Sequence, residues 1–167
     1  MSFSVLYIDD DAAIARLVQR HMGRLGHEVS HAENAEDALE LLKTAAFDVV
    51  VLDHYLRQTT GHDVLGRMRD AEIDVPVVYV TGSNEAQVAI EAIKAGAADY
   101  VIKTVSDDFL SLLSSAIEQT VANAQLRAAK ARADEEIRLG KERAEALLAE
   151  VNHRVANSLA LVASLLR

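Results

Sequence analysis

The sequence predicts a doubly wound α/β fold, a five-stranded parallel sheet with helices on both faces, followed by one long C-terminal helix. Three observations carry this. Short apolar runs recur five times, with segments of helical period between them. The third and fourth runs, "DVVVLD" and "VPVVYVT", are nearly continuous valine, as expected of strands covered on both faces. From about Asp107 onward the chain holds no Pro and a single Gly, Gly140, in a background rich in Ala, Leu, Glu, Lys and Arg.

The first strand is read in "SVLYI" (4 to 8), and helical period follows from Ala12 to Leu25 with Ile14, Leu17 and Val18 on one face. "EVSHA" (28 to 32) is the second strand. Asn34 then serves as an N-cap, with Asp37 in the first turn, for a helix from Ala35 to Ala45 that turns Leu39, Leu41 and Leu42 inward. The third strand (48 to 53) precedes a helix from Val64 to Ala71, the fourth (75 to 81) a helix from Glu85 to Ala95, and "DYVIK" (99 to 103) is the fifth. Gly26, Gly61 and Gly96 fall at the expected breaks. In such a sheet the site lies at the carboxyl ends of the strands.

The tail divides into three pieces. "DDFLSLLSSAIEQTV" has enough apolar residues to pack on the sheet as a fifth helix, whereas "RAAKARADEEIRLGKERAEA" is charged and small, as in a solvent-exposed coiled-coil connector. The last piece fits a heptad with Leu148, Val155 and Val162 at a and Val151, Ser158 and Leu165 at d. An earlier series, Leu110, Ile117, Ala124 and Ala131, runs three residues out of step, which is a stammer. The expected organisation is 1–122 for the α/β domain, 123–146 for the connector and 147–167 for the start of a helical bundle.

Composition narrows the function. Half of the 167 residues are apolar, enough for one genuine core with something added. A net charge of −9 argues against a general nucleic-acid binder, because that affinity rests on clustered Lys and Arg. No Cys is present, so thiolate chemistry and disulfides are excluded. "MSFSVLYIDDD" turns acidic before a targeting segment could form, and no apolar run approaches the ~20 residues of a membrane span. The expectation is a soluble cytoplasmic protein without nucleic-acid or membrane partners.

Three acids, Asp9, Asp10 and Asp11, close the first strand, and Asp53 closes the third. If those strands are adjacent the carboxylates converge, and they repel unless a hard divalent cation joins them. The competing reading makes Asp10 or Asp11 a helix N-cap and Asp53 a loop acid. Thr81 at the end of the fourth strand and Lys103 at the end of the fifth add a hydroxyl and an ammonium at the same edge, a set suited to phosphoryl transfer.

"YIDDD", "VVLDHYL" with Gly61 eight residues after Asp53, "VYVTG" and "ADYVIK" together resemble the response-regulator receiver domains of two-component signalling, over roughly residues 3 to 122. The resemblance implies a flavodoxin-like fold with Asp53 as phosphoacceptor and Mg²⁺ (or Mn²⁺) held by Asp9, Asp10, Asp53 and the backbone carbonyl of Tyr55. It further implies that Thr81 and Lys103 bind phosphate oxygens and that the Tyr100 rotamer reports the phosphorylated state. Tyr100 is equally compatible with a half-buried strand residue. Three positions depart from the family pattern: Thr104 where Pro usually follows the Lys, Arg57 where Pro usually stands four residues after the acceptor, and Gly82 where Ala usually follows the Thr. Tyr55 and Ser83 flank the site and are expected to influence water access.

With Leu148 at a, His153 falls at f, pointing away from the seam, while Leu147 and Leu161 at g and Leu159 and Leu166 at e widen the apolar stripe toward a four-helix bundle. By geometry alone His153 is an exposed imidazole with no assigned task. "NHRVANSLALVASLL" resembles the phosphoacceptor box of the HWE and HisKA_2 histidine kinases, with Ala156 where Lys is common. That resemblance implies a phosphoacceptor role for His153, ATP supplied only through a kinase domain that this chain lacks, and a parallel homodimer through the long helix. The chain stops at Arg167, before a second bundle helix, which reads as a fragment of a longer kinase. The sequence-level expectation is therefore a phosphorelay protein in which Asp53 regulates a C-terminal histidine kinase and exchanges phosphate with other signalling proteins. The alternative is a non-catalytic response regulator, a phosphate sink or partner-binding module that keeps a dimerising helix.

Overall fold

The computed structural model describes residues 1–82, 84–106 and 108–166. The expectations placed on Ser83, Asp107 and Arg167 lie outside the described residues. Five strands and five helices alternate: β1 (Ser4–Ile8), α1 (Ala12–Arg24), β2 (Glu28–Ala32), α2 (Ala35–Thr44), β3 (Val49–Asp53), α3 (Gly61–Asp70), β4 (Val77–Gly82), α4 (Ala86–Lys94), β5 (Asp99–Lys103) and α5 (Asp108–Leu165). All strand pairings are parallel, in the order β2-β1-β3-β4-β5. The chain leaves β1 toward one edge and returns past it to β3, so the carboxyl ends of β1 and β3 flank the topological switch point.

Alternation along the strands builds two cores. Leu6, Ile8, Val50, Leu52, Val77 and Tyr79 meet α2, α3 and α4 on one face. Val5, Tyr7, Val49, Val51, Val78 and Val80 meet α1 and the first turns of α5 on the other. Burial on both faces is what the continuous valine runs required.

Local signals set the element ends. Asp11 caps α1, accepting from Ala13 N and Ile14 N, and Asn34 caps α2, accepting from Asp37 N. Gly26 and Gly96 adopt positive φ of 86° and 112°, which a side chain would resist. Helix α3 begins at Gly61 rather than at the expected Val64. Thr60 and Asp63 form a reciprocal capping box there, and apolar period alone does not register such a start. Strand β4 starts two residues later than expected, past Pro76, which has no N–H to give a ladder.

The chain divides into two compact units, Met1–Ala124 and Gln125–Arg167. The first contains the sheet, both cores and the packed turns of α5, with Phe109, Leu113, Ile117 and Val121 buried. In the second, every described residue is exposed, including Leu148, Val151, Val155, Leu161 and Val162, each more than half accessible. Its helix continues through Gly140 and carries ion pairs from Arg138 to Glu135 and Glu142 and from Arg154 to Glu150. Among the described residues, no helix is long and apolar enough to cross a membrane.

Candidate phosphoacceptor site

Asp9 directly follows β1 and Asp53 ends β3. Because Ile8 pairs with Leu52 in register, the two acids come to the same edge at the switch point. Both are buried, Asp9 completely and Asp53 to within 6 %. Lys103, at the end of β5, spans the intervening β4, placing Nζ 2.8 Å from Asp9 Oδ2 and 3.4 Å from Asp53 Oδ1. Two buried carboxyl groups thus share one ammonium.

The electrostatic consequence is largest at Asp53. Burial, and then the charge of Asp9, push its carboxyl up to about 6, while the Lys103 ammonium and the Tyr55 backbone N–H pull the other way. For Lys103 burial works against the charged form, but the hydrogen bond to Asp9 and the charges of both acids outweigh it and hold the ammonium above its ordinary range.

Asp9 is fixed from several sides. The Tyr7 hydroxyl donates to Asp9 Oδ2 at 3.0 Å, and the Asp11 backbone N–H donates to Oδ1 at 2.8 Å. His31 Nε2 lies 2.7 Å from the Asp9 carbonyl oxygen. Burial first, and Asp9 second, drive the Tyr7 phenol far above its usual range, so it remains a neutral donor. Sequence reading missed Tyr7 because it sits among apolar strand residues. The available signal was its spacing of two from Asp9, which puts both on one strand face.

The remaining expected residues separate clearly. Thr81 is buried, and its hydroxyl has no partner among the described residues. Of Asp10 and Asp11, the two cap candidates, Asp11 caps the helix, and Asp53 ends a strand rather than lying in a loop. Asp10 is half-buried and makes no ion pair among the described residues. Tyr100 is 44 % exposed on β5. The Tyr55 ring is exposed, and its hydroxyl donates to Glu85. Among the described residues, no three carboxylate or imidazole side chains gather into a ready-made metal cage.

A second cluster, also missed, lies behind Asp53. Tyr79 OH is 2.7 Å from His54 Nδ1 and 3.2 Å from His62 Nδ1, and burial lowers the basicity of His54. Gly61 passes so close that a Cβ there would lie 2.5 Å from Tyr79 OH and 2.7 Å from the Asp53 carbonyl oxygen. Gly61 N donates to the His54 carbonyl at 2.8 Å, closing the loop that carries Tyr55. In the second unit, His153 is exposed, and the Asn157 amide donates to its Nε2 at 3.2 Å.

A sheet in this order, with one acid just after β1, another ending β3 and a lysine ending β5, defines the flavodoxin-like class of signalling receivers. The response regulator receiver domain model matches residues 5–115, and the chain belongs to that family. Its receiver domain is therefore that of a two-component response regulator, a class phosphorylated on aspartate. The chain is 38 % identical over 111 residues to the alginate biosynthesis transcriptional regulatory protein AlgB of Pseudomonas putida, covering 66 % of this chain and 25 % of that protein. It is 31 % identical over 127 residues to the regulatory protein LuxO of Vibrio vulnificus, covering 76 % and 26 %. The chain thus spans about a quarter of the length of these relatives. Among solved structures, NtrX of Brucella abortus superposes with a TM-score of 0.69 at 28 % identity, covering 77 % of this chain and 29 % of that one. The signal receiver domain of a putative LuxO repressor protein from Vibrio parahaemolyticus has a TM-score of 0.70 at 22 % identity, covering 77 % and 97 %, and speaks for the fold alone.

Proposed function

We propose that Asp53 is the phosphoacceptor of this receiver and that its phosphorylation regulates a histidine kinase whose phosphoacceptor is His153. One observation carries the first part: two buried carboxyl groups drawn onto the Lys103 ammonium, at the same sheet edge as the buried Thr81 hydroxyl, which has no partner among the described residues. A buried hydroxyl without a partner costs about 1–3 kcal/mol, and a phosphoryl oxygen would relieve it.

The ionised Asp53 carboxylate attacks the phosphorus of a phosphodonor protein or small phosphodonor, and the donor's leaving group departs with the bonding electron pair. Lys103 shifts its ammonium toward the transferred oxygens, and Thr81 donates its proton as a hydrogen bond to one of them. The donor set suits Mg²⁺ or Mn²⁺, because hard carboxylate oxygens converge at a site where burial, and then the charge of Asp9, push the Asp53 carboxyl up. Asp9, Asp10, Asp53 and the Tyr55 carbonyl would hold the ion, which supplies charge neutralisation for the phosphoryl oxygens. Tyr7 and the Asp11 N–H keep Asp9 oriented for it.

For the second part, the support is the "NHRVAN" box on a helix with an exposed apolar stripe, which suits a parallel homodimer and leaves the imidazole accessible. ATP enters through a kinase ATP-binding domain, and the reaction is cytoplasmic. The test is the rate of His153 phosphorylation by such a domain with ATP and Mg²⁺, in the wild type charged with acetyl phosphate and in Asp53→Asn, which cannot be charged. Different rates are expected. Equal rates remove the coupling, and no phosphohistidine favours the second reading, a non-catalytic response regulator. That reading draws support from AlgB and LuxO, both named as regulatory proteins.

A further inference from the structure

The departure at Gly82 has a counterpart three residues on. Glu85 reaches back over the end of β4, where one carboxylate oxygen, Oε2, accepts from Gly82 N at 3.1 Å and the other, Oε1, accepts from the Tyr55 hydroxyl. Each anchor belongs to the edge of the Asp53 pocket. Gly82 follows the buried Thr81 and pairs in register with Lys103, and Tyr55 stands two residues beyond Asp53 with its backbone N–H offered to that carboxylate. The carboxylate therefore bridges the loop after β3 and the end of β4.

Gly82 leaves room for the bridge. A Cβ at this position would lie 3.3 Å from Glu85 Oε2, tighter than most such contacts, and 3.5 Å from its Cδ, an ordinary van der Waals distance. An alanine here therefore requires the Glu85 carboxylate to give by a few tenths of an ångström. The Tyr55 hydroxyl lowers the Glu85 carboxyl most, burial opposes it, and the Gly82 N–H adds to the lowering, so that the balance lies below the ordinary carboxylate range. An incoming phosphoryl group carries between one and two negative charges and also seeks backbone N–H donors.

We propose that Glu85 is an internal competitor for the phosphoryl group, a carboxylate that Gly82 makes room for and Tyr55 holds across the pocket mouth, and that it slows phosphoryl entry until it is displaced. Glu85 acts through access and through the Gly82 N–H and is a positioning residue, since it does not touch the reacting atoms. The inference rests on the reading of Asp53 as the phosphoacceptor. When phosphate arrives, an Asp53 oxygen–phosphorus bond forms, the donor's phosphorus–oxygen bond breaks, acetate leaves with the electron pair in the case of acetyl phosphate, and no proton is required of Glu85. Its displacement would free the Tyr55 ring, which already lies on the surface, to report the change to a partner.

The test uses the whole chain with acetyl phosphate and Mg²⁺, following phosphate on Asp53 by intact-protein mass spectrometry. Glu85→Gln is expected to accelerate uptake about fivefold, the size of effect a single solvent-screened charge exerts on a dianionic donor, and the advantage should shrink as salt is raised. Gly82→Ala, which leaves Glu85 in place but crowds it off the strand end, should accelerate uptake in the same direction. A second readout does not depend on phosphorylation: the amide proton of Gly82 should move upfield in Glu85→Gln, as a charge-assisted hydrogen bond is lost. Wild-type rates in both variants, with Asp53 phosphorylated normally, overturn the inference while leaving the phosphoacceptor reading standing. No phosphate on Asp53 in any protein overturns the phosphoacceptor reading, and the competitor role falls with it.

Discussion

The two stretches of α5 share one continuous helix and have opposite surroundings. Up to Val121 the helix buries Phe109, Leu113, Ile117 and Val121 against the sheet, and from 125 to 166 no described residue is buried. Helical propensity alone carries the second stretch, supplemented by surface ion pairs such as Arg154 to Glu150 at 2.6 Å. The receiver buries two apolar cores within itself and gathers Asp9, Asp53 and Lys103 at one sheet edge. The second unit satisfies its backbone within the helix and leaves an apolar stripe exposed.

The contrast is broken most sharply at the pocket. Asp53→Asn should abolish acyl-phosphate formation outright while leaving the self-association of the second unit intact, as read by mass spectrometry and analytical ultracentrifugation. Next in size, Ile117→Ala should cost about 3 kcal/mol in urea unfolding of the receiver, since it empties a fully buried site. Leu161→Ala, with a side chain 65 % exposed, should leave that transition in place and weaken dimerisation instead. Equal effects of the two substitutions on receiver unfolding would erase the distinction between the halves of the helix.

The pocket also has a pH signature. Asp53 is an acid whose folded-state value, about 6, lies above its ordinary value of 3.8, so the folded chain binds more protons than the unfolded one between these pH values. Its ionisation therefore contributes instability that sets in as pH rises through this window and is fully present above it. At pH 8 without divalent cation, Asp53→Asn should stabilise the receiver by about 3 kcal/mol, from a shift of about two units at 1.36 kcal/mol each, and at pH 4 the difference should largely vanish. Guanidinium titrations at the two pH values check this. The smallest effect belongs to the caps: Asn34→Ala, losing the 2.8 Å bond from Asp37 N, should cost about 1 kcal/mol.

What the sequence disclosed follows the same division. The strands were legible because burial on both faces demands uninterrupted valine, and Asp9, Asp53, Thr81 and Lys103 because four strand ends converge at one switch point. The start of α3 was hidden, since the Thr60–Asp63 box lies in a polar stretch with no apolar period. Tyr7, and the Tyr79 cluster with His54 and His62, were hidden because a hydroxyl in a core strand reads as packing until its partner is placed in space. Glu85 was hidden for the opposite reason, since an acid before a helix reads as a first-turn charge, and only the empty Cβ position of Gly82 gives it a second task. The heptad of the second unit is written plainly in the sequence, and its apolar positions are exposed in the structure.

The central claim is that the shared-ammonium pocket makes Asp53 the acyl-phosphate residue. Borohydride reduction after incubation with acetyl phosphate and Mg²⁺ converts an aspartyl phosphate to homoserine, which peptide mass spectrometry locates. The account predicts homoserine at position 53 and at no other aspartate, including Asp9, Asp10 and Asp11. Homoserine at one of those neighbours, or at none, would contradict it.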